Sequence, residues 1–147
     1  EVLQLFESWA ASLTGPAFER WCIAPVAAII AGLRARGVSV PIIGFPRAAD
    51  WDMADYVART GCQILGLDTS ADRQAMAVNV PDNIVLQGNL DPQVLVRGGE
   101  EMRASVRAIL DDFSARKFIF NLGHGIVPQT PPEHVAELVA LVRGEIE

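Results

Sequence analysis

Apolar residues along this chain fall into two kinds of run. Five are short and apolar on both faces: residues 2–6 (VLQLF), 40–45 (VPIIGF), 63–67 (QILGL), 83–88 (NIVLQG) and 117–122 (KFIFNL). Such runs suit strands covered on both sides, so each is predicted as a buried strand of a parallel sheet. The other runs carry helical spacing. Residues 17–36 are rich in Ala, Ile and Arg, with Pro25 expected to divide them in two. Residues 50–59 and 71–77 predict two shorter helices. Residues 99–113 place Met102, Val106, Ile109, Leu110 and Phe113 on one face, and 131–143 do the same with Val135, Leu138, Val139 and Val142. Thr130 reads as the N-cap of that last helix, with Glu133 completing a Thr-x-x-Glu capping box.

Strand followed by helix, five times over, predicts an α/β fold with a parallel sheet, either part of a (β/α)8 barrel or a doubly wound sheet. Polar positions separate the two. Glu7 and Ser8, Arg47, Asp68, Gln87 with Asn89 and Asp91, and His124 each follow or end a strand. In a barrel all strand ends converge on one mouth, whereas in an open sheet only those near the switch point do. The expectation is therefore the C-terminal part of a (β/α)8 barrel, about five parallel strand–helix units forming one domain over 1–147. Five strands do not close a barrel of eight. The chain also opens on a strand-like run with neither an initiator Met nor a signal peptide, so it is expected to be the later part of something longer.

Composition narrows the classes of function. Twelve basic against eighteen acidic residues leave a net charge of −6, which speaks against a nucleic-acid partner. Gly, Pro and charges interrupt every apolar run, so no membrane span is expected. Cys22 and Cys62 form no CxxC pair and read as buried free thiols of a reducing compartment. P-loop, GxGxxG, HExxH and GxSxG patterns are absent, and the two histidines have no neighbouring carboxylate pair that would make a metal site.

The residues left for chemistry lie at the strand ends. In NLGHGI, His124 stands between Gly123 and Gly125, which would clear space around its ring. Ser8 in LFESWA could donate to a ligand carboxylate, and Arg47 in GFPRAAD would place a cation at the same mouth. Each also has a plain structural reading: a turn cap for Ser8, an ion pair for Arg47 and Asp68, a helix start for Asp91. His134, within the last helix, is expected to face solvent.

Taken together, LQLFESWA, IIGFPR, ILGLD, LQGNLDP, LDDF and NLGHGIVPQTPPEHV resemble the uroporphyrinogen decarboxylase family, in order and over nearly the whole chain. One departure is Thr69, where the family often has Trp after the same Gly-Leu-Asp. The resemblance implies a (β/α)8 barrel. It also implies removal of carboxyl groups from the four acetate arms of uroporphyrinogen III to give coproporphyrinogen III, in porphyrin and heme biosynthesis. No cofactor or metal is implied. The family's catalytic aspartate and its arginine-rich loop have no counterpart in 1–147, so no catalytic residue is assigned here and the chain alone is expected to be inactive. The resemblance makes Ser8 and His124 partners of the substrate's acidic arms, Phe6 an apolar wall and Arg47 a further cation. A cytoplasmic homodimer without membrane contact is the expected setting. Two alternatives remain: a related barrel methyltransferase of the corrinoid or thiol type, holding zinc through His and Cys, or an inactive truncated domain.

Overall fold

The computed structural model describes residues 1–49 and 51–146. Its five strands are β1 (Leu3–Glu7), β2 (Ile42–Pro46), β3 (Ile64–Gly66), β4 (Val85–Leu90) and β5 (Phe118–Leu122). All neighbours are parallel, and the order in space is the order in sequence, β1-β2-β3-β4-β5. A doubly wound sheet reverses its order at a switch point. A sheet that never reverses, with helical crossovers between successive strands, is an arc of a barrel. β1 and β5 are its two edges among the described residues.

One face of this arc packs against the helices. Ile42, Leu65, Leu86 and Leu90 are buried to 1% exposure or less and meet Tyr56, Met102, Val106, Ile109 and Phe113 in one core. Gly44 permits the closest approach. A Cβ there would lie 2.8 Å from the Tyr56 hydroxyl and 3.2 Å from Cys62 Sγ, so β2 and the helix behind it can touch only through hydrogen.

The helices are α1 (Gly15–Phe18), α2 (Ala24–Ala35), α3 (Met53–Thr60), α4 (Arg73–Asn79), α5 (Pro92–Arg97), α6 (Gly99–Asp112) and α7 (Pro132–Val142). Asp52, Asp72 and Asp91 cap α3, α4 and α5 through backbone N–H groups. The predicted helix at 50–59 begins instead at Met53, and residue 50 lies outside the described residues.

Four expectations need correction. Pro25 does not divide its helix: a π turn at Glu19–Ile23, where Ala24 N–H reaches back to Glu19 O, joins α1 to α2. The resulting stretch, Gly15–Ala35, is 21 residues with mean hydropathy 1.3, so one helix does meet the length and composition of a membrane span. Phe18, Cys22, Ile23, Val26 and Ile30 from it are buried in the core. Thr130 is not the cap of α7. Pro131 takes that position, its carbonyl accepting from His134 and Val135 N–H, and Thr130 Oγ1 is buried without a partner among the described residues. Finally, His134 does not face solvent. Its Nδ1 lies 3.0 Å from Leu95 O, and its ring fills the space a side chain at Gly98 would need, tying α7 to the α5–α6 junction.

Candidate functional site

The other face of the arc carries the side chains of alternate residues. Register aligns Phe6 with Phe45, Gly66 with Gln87, and Gln87 with Ile119. Phe45 lies across Gly66, where a Cβ would fall 2.7 Å from its ring, and meets Phe6 edge-on at 6.0 Å. A flat sheet would separate β1 from β5 by about 19 Å. Yet one cleft of about 330 Å³ is bordered by Gln4 and Phe6 from β1 and by Asn121 and His124 from the end of β5. The sheet therefore curls toward this face. Phe45, Gly66 and Gln87 form the cleft's floor and Ile126 part of its rim.

Phe6 and His124, predicted from opposite ends of the sequence, thus meet in one cleft. Phe6 is 67% exposed, an open apolar wall. His124 Nδ1 is 3.1 Å from Gly125 O. A carbonyl only accepts, so Nδ1 carries the proton and Nε2 is left for another partner. The two flanking glycines do different things. A Cβ at Gly123 would fall 2.3 Å from Thr69 Oγ1 and 2.4 Å from Thr69 N, so β5 lies directly on the loop after β3. Gly125 has open space around it. The expectation that both clear room for the ring holds only for Gly125.

Arg47 and Ser8 do not border this cleft. Arg47 Nε stands 3.6 Å from Asp68 Oδ2, with Arg47 half exposed and Asp68 nearly covered. Asp68 Oδ1 accepts from the Ser70 N–H at 3.0 Å and the Ser70 hydroxyl at 2.9 Å. This is the ion pair that was one of the two readings for these residues. Ser8 is exposed, one residue beyond β1. Asp91 is the cap of α5, as its Pro neighbour implied. Sequence reasoning missed Gln4 and Asn121 as cleft residues. The available signal was a polar residue inside an otherwise apolar run on each of the two edge strands.

The cysteines lie away from the cleft, in the core behind the sheet. Burial and, secondarily, the Glu7 charge push the Cys22 thiol up to about 12. Burial also raises Cys62. Among the described residues no group of three or more His, Cys, Asp or Glu is placed to hold a metal ion. The zinc-holding arrangement considered for a barrel methyltransferase does not fit these donors.

Comparison with known proteins converges on one family. The family described as uroporphyrinogen decarboxylase (URO-D) matches residues 1–145. Proteins named uroporphyrinogen decarboxylase from Granulibacter bethesdensis and Gluconacetobacter diazotrophicus are 53% and 48% identical over 143 residues, 97% of this chain. A third, from Rhizorhabdus wittichii, is 47% identical over 144 residues. The chain spans 40–42% of the length of these relatives. With a sheet whose strand order never reverses and a curled inner face ending in the NLGHGI loop, the chain belongs to the uroporphyrinogen decarboxylase family and forms five strand–helix units of its barrel.

Proposed function

We propose that this chain supplies the C-terminal wall of a uroporphyrinogen decarboxylase site, holding the tetrapyrrole while its acetate arms lose CO₂. The observation that carries the reading is the single cleft shared by Phe6 and His124. A flat macrocycle with acidic arms needs an apolar surface for its pyrroles and a polar group at its edge, and these two residues offer one of each. In the reaction, protonation of a pyrrole carbon creates a cationic electron sink. The acetate C–C bond then breaks, its electrons flow into the ring and CO₂ leaves. Stabilising that positive ring calls for an anionic group. Among the described residues bordering the cleft there is no carboxylate, so this wall binds and orients rather than carries charge. The 147-residue chain alone is accordingly expected to be inactive. Ser8, exposed just beyond β1 and outside the cleft lining, would reach an acidic arm that extends past the cleft.

A cytoplasmic homodimer is the setting we favour. Two free buried cysteines suit a reducing compartment, and exposed Trp21 and Ile29 on the outer helix offer apolar surface. The buried stripe of Gly15–Ala35 supports a packed helix rather than a membrane span. The net charge of −6 supports no nucleic-acid partner.

The test is binding of uroporphyrin, the stable fluorescent octacarboxylate, to this chain. With Nδ1 donating to Gly125 O, Nε2 is the ring atom left to meet a substrate group. His124→Asn should retain part of the affinity. His124→Leu should lose about tenfold or more, the cost of one charge-assisted hydrogen bond. Unchanged affinity in His124→Leu would overturn the role.

A further inference from the structure

Behind the cleft, one four-residue turn is held from three sides. Asp68 to Ala71 closes on itself through Ala71 N–H and Asp68 O at 3.0 Å. From β4, the buried Asn89 amide donates to Asp68 O at 3.0 Å and to Ala71 O at 3.3 Å, across 21 and 18 residues of chain. From β5, Gly123 lies on Thr69. Outward, the turn presents the Asp68 carboxylate, braced by Ser70, to Arg47. Asn89 is 3% exposed and does not border the cleft. A buried amide whose two hydrogens both go to one distant turn fixes that turn, because at 3% exposure solvent has little access to replace it.

We propose that Asn89 is a positioning residue that sets the Arg47 guanidinium through Asp68; the inference rests on the reading of this mouth as a binding site for an acidic tetrapyrrole. Arg47 has five N–H donors and turns its Nε edge to Asp68 at 3.6 Å. Among the described residues its two terminal NH₂ groups have no hydrogen-bond acceptor, so they are the ones that would meet a substrate carboxylate. Asn89 decides where they point. Asp68 cannot shift while its own carbonyl is held from β4 and its side chain is held by Ser70.

A double-mutant cycle tests this on the whole 147-residue chain, with uroporphyrin as the probe. Arg47→Gln should weaken binding about tenfold. Asn89→Asp, which keeps the shape but replaces both donated hydrogens with a charge facing two carbonyls, should also weaken binding about tenfold. In the Arg47→Gln background, however, Asn89→Asp should change affinity less than twofold, since the group it positions is gone. Ser70→Ala is the second handle, at an exposed position that leaves the fold intact if Asn89→Asp does not fold. It should cost about threefold with Arg47 present and nothing without it. Equal losses in both backgrounds would mean a structural role only, and overturn the proposal. If the wild-type chain binds no uroporphyrin, the reading of the mouth fails. The same cycle read by urea unfolding then decides the positioning role: coupling between the Asn89 and Arg47 substitutions supports it, and additivity overturns it.

Discussion

At the scale of single residues, the glycines around His124 separate two explanations that look alike in the sequence. A Cβ at Gly123 would meet Thr69 backbone atoms at 2.4 and 2.6 Å, which cannot swing away as a side-chain tip can. Gly123→Ala should therefore push β5 off the β3 loop and cost roughly 1–3 kcal/mol by overpacking. Gly125→Ala, with nothing within 4 Å, should cost less than about 0.5 kcal/mol. Urea unfolding of the two variants reads the difference, and similar losses would show that the loop needs both glycines for its backbone. The spacing Gly-His-Gly singled out a histidine that borders the cleft but not the work of each glycine, because Gly123's constraint comes from Thr69, 54 residues away. His134 eluded the sequence for the same reason. Its acceptor, Leu95 O, belongs to a helix end 39 residues distant, and helical spacing says nothing about which backbone carbonyl waits opposite.

At the scale of elements, strands were the most legible part: all five lie where the short apolar runs stand, with ends shifted by at most two residues. Boundaries set by a local rule with two valid answers were less so. Thr130 and Pro131 both suit the start of α7, and the chain takes the later one. What joins elements was not legible at all. Arg116 precedes β5, and its side chain is 7% exposed. It donates to Ala77 O and Val80 O through one nitrogen, and to Pro81 O and Ile84 O through the other. One side chain thus satisfies four carbonyls of the α4–β4 connection. Arg116→Met would strand these acceptors in a half-buried loop and should cost about 3 kcal/mol. Arg116→Lys keeps the charge but not the planar fork, so it should recover only part of that. Asp82, at 3.9 Å from Arg116 but 97% exposed, should matter little: Asp82→Asn is expected within about 0.5 kcal/mol of the parent in the same unfolding measurement.

At the scale of the whole molecule, the barrel arc was legible because two independent patterns agreed. Apolar runs gave the strands, and the polar residues at their ends gave the mouth. The candidate cleft was partly legible. Phe6 and His124 both border it, while Arg47 is held in an ion pair and Ser8 lies exposed just beyond β1, outside the cleft lining. Strand-end position selects residues near a mouth, but sheet curl and loop packing decide which of them share a cavity. That curl leaves Ile119 exposed on the inner face, a surface that other strands of a closed barrel would cover. The decisive experiment grafts the chain into a closed barrel: its residues replace the matching 143-residue segment of the Granulibacter bethesdensis relative, 53% identical to it. Coproporphyrinogen formation from uroporphyrinogen is then measured for the graft and for the 147-residue chain alone. The graft should turn over and lose at least tenfold on His124→Leu, and the chain alone should give no product. A folded graft without turnover, or full turnover by the chain alone, would contradict the assignment of this chain as the binding wall of a decarboxylase.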